Sequence, residues 1–148
     1  VAEVAARGVL LLDSGAISAM ATGDPVARAV VARARREGRR VAIPAAVLAE
    51  VVTGRASDAP IDRVIKAVDE TIELSATRAR QAGVLRDKAH HTRARDRDER
   101  PPSVVDATLV AEAVAAGAAV ILTSDLEDME RLRDAAGVTS SQVVIVRV

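Results

Sequence analysis

The chain has 148 residues, sets 21 basic against 21 acidic side chains and is 49% apolar, which suits a single domain, residues 1–148, and excludes a nucleic-acid coat built on net positive charge. It has no cysteine, which excludes a disulfide scaffold or thiolate site, and no Phe, Tyr or Trp, so no base can stack on an aromatic platform. No apolar run reaches the ~20 residues of a membrane span, and Val1 to Gly8 has neither the charge nor the apolar length of a signal peptide, so the expectation is a cytoplasmic protein with no membrane partner.

Val9-Leu10-Leu11-Leu12 is apolar throughout, the pattern of a strand buried on both faces of a parallel sheet, and it runs straight into Asp13-Ser14-Gly15. Ser18 to Arg36 reads as helix broken near Gly23-Asp24-Pro25. Its end is rich in arginine (Arg33, Arg35, Arg36, Arg39, Arg40), which fits a solvated helix C-terminus first and an RNA contact second. Val41 to Ile43 is a short strand, and Pro44 opens a helix through Thr53 that carries Glu50 at the border of the arc of Val47, Leu48 and Val51. Ala59 to Asp69 is helical, Thr71 to Leu74 has strand alternation, and Ser75 caps a helix to about His91. Thr92 to Pro102 is a charged loop, a solvated linker or a flap facing substrate. Ser103 opens a helix that Gly117 ends. Ala118 to Leu122 repeats the first strand's pattern and runs into Thr123-Ser124-Asp125, Leu126 to Ala136 is helical, and Gln142 to Val148 is the last strand. Five strands separated mostly by helices make an α/β protein with a doubly wound, mainly parallel sheet.

Parallel sheets bind ligands beyond the carboxyl ends of their strands, where Asp13 and Asp125 stand. Each also has a structural reading: Asp13 or Ser14 can cap the first helix, Asp125 can cap the helix after it, and Asp128 can sit in that helix's first turn. Glu50, taken singly, is an ordinary surface acid. Ser103-x-x-Asp106 is a capping box, yet Asp106 falls amid Leu109, Val110 and Ala113, the stripe that helix should bury, and a buried acid needs a partner. If Asp13, Glu50, Asp106 and Asp125 meet at one sheet edge, their repulsion calls for a cation, and oxygen ligands without Cys or well-placed His indicate Mg²⁺ or Mn²⁺. Adjacent His90 and His91 cannot share a helix face, which argues against a histidine metal site or triad.

The order of motifs resembles the PIN-domain family: Leu-Leu-Asp-Ser-Gly at Asp13, Ile-Pro-Ala-Ala-Val-Leu-Ala-Glu at Glu50, Val-Val-Asp-Ala-Thr-Leu-Val-Ala at Asp106 and Leu-Thr-Ser-Asp-Leu-Glu-Asp at Asp125. The resemblance implies an α/β/α sandwich and RNA cleavage dependent on Mg²⁺ or Mn²⁺, with Asp13, Glu50, Asp106 and Asp125 as the acidic quartet. Asp128 matches an accessory acid, Thr123 or Ser124 the family's hydroxyl near the site, and Ser14 adjoins it. Small single-domain members are commonly VapC-like toxins, which implies a homodimer, an RNA substrate and a cognate antitoxin. Met129 stands where the family often has an aromatic residue, and the 92–102 loop is longer and more charged than usual. A haloacid-dehalogenase-type phosphoaspartate enzyme wants an Asp where Gly15 stands, and a receiver module wants a Lys at a strand end, where none falls. The remaining alternative is a PIN-fold interaction module without catalysis.

Overall fold

The computed structural model describes residues 8–92 and 100–148. Its elements run β1 (Val9–Leu12), α1 (Ser14–Thr22), α2 (Pro25–Arg36), β2 (Arg40–Pro44), α3 (Ala45–Val51), α4 (Ala59–Ala67), β3 (Glu70–Ile72), α5 (Ala76–Thr92), α6 (Val104–Ala116), β4 (Ala119–Thr123), α7 (Leu126–Ala136) and β5 (Val143–Arg147), with a 3₁₀ turn at Ala56–Asp58. The sheet order is β3-β2-β1-β4-β5, and every pairing is parallel. Helices cover it in an α/β/α arrangement, as expected.

All four residues of β1 are buried because both of its edges are paired and both of its faces covered. The core joins them to Val41, Ala42 and Ile43 of β2, Ile121 and Leu122 of β4, Ile17 of α1, Leu109 and Val110 of α6, and Met129 and Leu132 of α7. With no Phe, Tyr or Trp available, branched aliphatics supply the volume and Ala lets the helices approach closely. Among the described residues no helix is long and apolar enough to cross a membrane.

Several boundaries differ from expectation. α1 begins at Ser14 rather than Ser18, because Asp13 caps it directly. Pro44 ends β2 and precedes α3 instead of opening it, since its residue partner in β3 is Ile72, and α3 stops at Val51. α4 ends at Ala67, and the third strand lies at Glu70–Ile72, starting one residue and ending two residues before the expected Thr71 to Leu74. Residues 93–99, most of the charged loop, lie outside the described residues.

Candidate metal centre

Strand order reverses between β1 and β4: β1 leads on to β2 at one side, and β4 lies at its other side. Asp13 follows β1 and Asp125 follows β4, so both stand at the carboxyl ends flanking this switch, where open α/β sheets take ligands.

Asp13 is 4% exposed, and both of its oxygens are engaged. Oδ1 accepts from the Ala16 amide at 2.6 Å, capping α1, while Oδ2 accepts from the Thr123 hydroxyl at 2.5 Å and the Ser124 amide at 3.2 Å. Thr123 Oγ1 in turn accepts from the Asp125 amide at 2.8 Å. Asp13 therefore ties the turn after β4 to the turn after β1 and fixes where Asp125 starts. Burial raises the Asp13 carboxyl above its ordinary range, the bonds from Thr123, Ala16 and Ser124 pull it down, and the charge of Asp125 raises it. The turns can meet because residue 15 is glycine: a Cβ there would overlap Oγ and Cβ of Ser124.

Asp106 sits in the first turn of α6, where Ser103 Oγ accepts from its amide at 3.0 Å, and α6 buries Leu109, Val110 and Ala113 as the stripe requires. Burial pushes the Asp106 carboxyl up to about 6; a hydrogen bond with Ser103 opposes this, and the charges of Glu50, Asp13 and Asp125 add to it. The other three acids of the expected quartet thus all act on Asp106. Carboxylate oxygens of Asp106, Asp125 and Asp128 lie within 4.8 Å of one another. Asp13 and Glu50 stand outside this tight group. Glu50 is exposed on α3, and its Oε2 accepts from the Ser14 hydroxyl at 3.3 Å.

Asp128, expected as an accessory, is one of the close three. Its amide donates to Asp125 Oδ1 at 3.1 Å, so Asp125 caps α7, and its Oδ1 accepts from Arg131 Nη1 at 3.0 Å. Sequence reasoning missed Arg131, which is buried one turn below the acids. The available signal was an acid and an arginine at i and i+3 with Arg131 set between apolar positions 129 and 132.

The PIN-domain profile matches residues 10–135. The chain belongs to the PIN-domain family. The PIN domain seen here is similar to a chain in the crystal structure of VapBC2 from Rickettsia felis bound to a DNA fragment from their promoter, with a TM-score of 0.68 and 15% identity over 95% of this chain and 98% of that one. At that identity the likeness is one of fold. No curated protein sequence matches the chain. PIN domains are generally nucleases that depend on divalent metal ions. Asp106, which burial and the charges of Glu50, Asp13 and Asp125 keep from ionising, stands beside Asp125 and Asp128 in the environment a hard cation relieves, and an all-oxygen donor set fits Mg²⁺ or Mn²⁺.

Proposed function

We propose that the chain is an endoribonuclease that cleaves RNA phosphodiester bonds with a metal-activated water, and that it is the toxin of a toxin–antitoxin pair. The observation that carries this reading is the convergence of Asp106, Asp125 and Asp128 to within 4.8 Å at the switch point of the sheet, in a chain of the PIN family. Asp106 and Asp125 would hold Mg²⁺ or Mn²⁺, with Asp13 and Glu50 completing the catalytic quartet and Asp128, Ser14, Thr123 and Ser124 in support. A divalent cation held by these carboxylates would supply an activated water and charge neutralisation at the phosphate.

The chain's own residues prepare that site. Asp13 holds Thr123 and Ser124, and through them the backbone of Asp125. Ser14 steadies Glu50 at Oε2, and the exposed Glu50 carboxylate is the acid able to take a proton and pass it to solvent. Asp106, which keeps its proton to about pH 6 by itself, releases it on taking up a cation, so binding weakens in acid. Without aromatic platforms, RNA is engaged through its phosphates and exposed edges rather than by stacking.

The partners belong to the same proposal: RNA as substrate, a second copy in a homodimer, and a cognate antitoxin that silences the chain in the cytoplasm. The fold shared with a chain of VapBC2 supports the antitoxin. The test is incubation of the purified chain with end-labelled RNA and Mn²⁺, with and without EDTA. Internal cuts that appear only with the cation are expected; uncut RNA, or cutting indifferent to EDTA, would leave a PIN fold without the proposed activity. A small DNA-binding antitoxin encoded next to this chain is the corresponding expectation for the pair.

A further inference from the structure

Arg131 is the one cationic side chain buried among the described residues, with its side chain 4% exposed. Its neighbours in α7, Met129 and Leu132, are fully buried. For stability alone an apolar side chain would suit a position between them better, because a guanidinium taken out of water loses more than most ion pairs return. A helical pair in this chain ordinarily lies in solvent: Arg33 and Glu37 at the end of α2 have side chains 75% and 41% exposed. The buried guanidinium of Arg131 is turned on the acids instead. Its Nη1 donates to Asp128 Oδ1 at 3.0 Å, and Asp128 is one of the three carboxylates within 4.8 Å of one another.

The acids around it leave donors for one ion. Asp13 has both oxygens engaged by Ala16, Thr123 and Ser124, and Glu50 lies outside the close three. Asp125 Oδ1 accepts from the Asp128 amide, and Asp128 Oδ1 accepts from Arg131. What remains is Asp106, with one further oxygen each from Asp125 and Asp128. Mg²⁺ or Mn²⁺ completes such a set with water or phosphate oxygen. Sites for two ions hold them about 3.5–4 Å apart and need carboxylates for both. Here a fixed positive charge already takes one of those oxygens and repels a second divalent cation.

We propose that Arg131 is the built-in second cation of this centre and sets its capacity at one divalent ion per chain. The inference rests on the metal centre proposed above and on none of its RNA chemistry. Arg131 is then a positioning residue: it orients Asp128 and fixes the charge of the site.

The test is calorimetric titration of the metal-free whole chain with Mn²⁺ near neutral pH, with electron paramagnetic resonance of the saturated protein to show whether bound ions are isolated or magnetically coupled. The parent should saturate at one isolated Mn²⁺ per chain, as should Arg131→Lys, which keeps the charge. Arg131→Met should take a second Mn²⁺, coupled to the first. Asp128→Asn leaves the guanidinium with no carboxylate to offset it beside the ion, and should raise Kd by roughly tenfold or more. Adding Arg131→Met to Asp128→Asn removes that repulsion and should bring Kd back to within about threefold of the parent, still at one ion per chain. If Arg131 only braces α7, its removal after its partner has gone cannot tighten Mn²⁺ binding. The double variant leaves neither member of the buried pair uncompensated, so it decides the matter where Arg131→Met alone folds poorly. A parent with two coupled ions, a folded Arg131→Met with only one, or a double variant that binds no more tightly than Asp128→Asn would overturn the role of Arg131 and leave the metal centre standing. A parent that binds no Mn²⁺ would overturn both.

Discussion

In the metal-free protein Asp106 carries a stability cost that one substitution should remove. Its folded carboxyl keeps a proton to about pH 6, against 3.8 for an ordinary aspartate. The folded chain therefore binds more protons between those values, so the favourable contribution is present in full below 3.8 and is lost as pH rises through about 6. Unscreened, that displacement is worth about 3 kcal/mol at neutral pH. Asp106 is only partly buried, and solvent screening reduces the figure to about 1 to 2 kcal/mol. Asp106→Asn keeps the size of the side chain and leaves the Ser103 cap on the residue 106 amide in place, while removing the charge that Glu50, Asp13 and Asp125 repel. In EDTA near pH 7.5 the variant should melt roughly 2 to 8 °C above the parent for a chain of this size, and near pH 4 the two should coincide. Added Mn²⁺ should reverse the order, because it stabilises the parent more than a variant with a weakened site. Unfolding is followed by circular dichroism or a dye, since the chain has no Trp or Tyr. A variant that melts lower than the parent in EDTA, or by the same margin at both pH values, would refute the electrostatic reasoning and leave Asp106 a structural residue of the α6 first turn.

Other expectations follow from single contacts. Asp13→Ala removes the α1 cap and strands the Thr123 hydroxyl and the Ser124 amide, so chemical denaturation should show a loss of about 2 to 4 kcal/mol, with less lost in Asp13→Asn, which still accepts from Ala16. Gly15→Ala should be destabilising through overlap with Ser124, and the added substitution Ser124→Gly should recover most of that loss; a double-mutant cycle showing independent effects would contradict the close approach. Arg131→Met leaves Asp128 without its 3.0 Å partner beside two other acids, and the variant should lose about 2 to 3 kcal/mol in EDTA, some of it regained with Mn²⁺.

The central strands were legible because burial on both faces leaves an unbroken apolar run: Val9–Leu12 and Ala119–Leu122 needed no tertiary information. Asp106 was legible for the opposite reason, an acid set into an apolar helical stripe that the structure does bury. The start of α1 was not, because Gly15 looks like a turn residue when its glycine serves a close approach to Ser124, far along the chain. Asp13 shows why cap and site are not exclusive readings: one carboxylate caps α1 and clamps the turn that carries Asp125. The closeness of Asp128 to Asp106 joins two helices from different parts of the chain, and no local spacing encodes it. The edge strand Glu70–Ile72 is paired on one side only, so its alternation is short, and its start slipped by one residue and its end by two.

Everything proposed about chemistry depends on whether the carboxylates beyond β1 and β4 take a divalent cation. Calorimetric titration of the metal-free chain with Mn²⁺ near neutral pH, repeated with Asp106→Asn and Asp125→Asn, measures this directly. Saturable binding is expected for the parent, accompanied by proton release when the titration is run near pH 6, tightening as pH rises through that value, and weakened by roughly tenfold or more in either variant. A parent that binds no Mn²⁺, or variants that bind it as the parent does, would contradict a metal centre at Asp106 and Asp125.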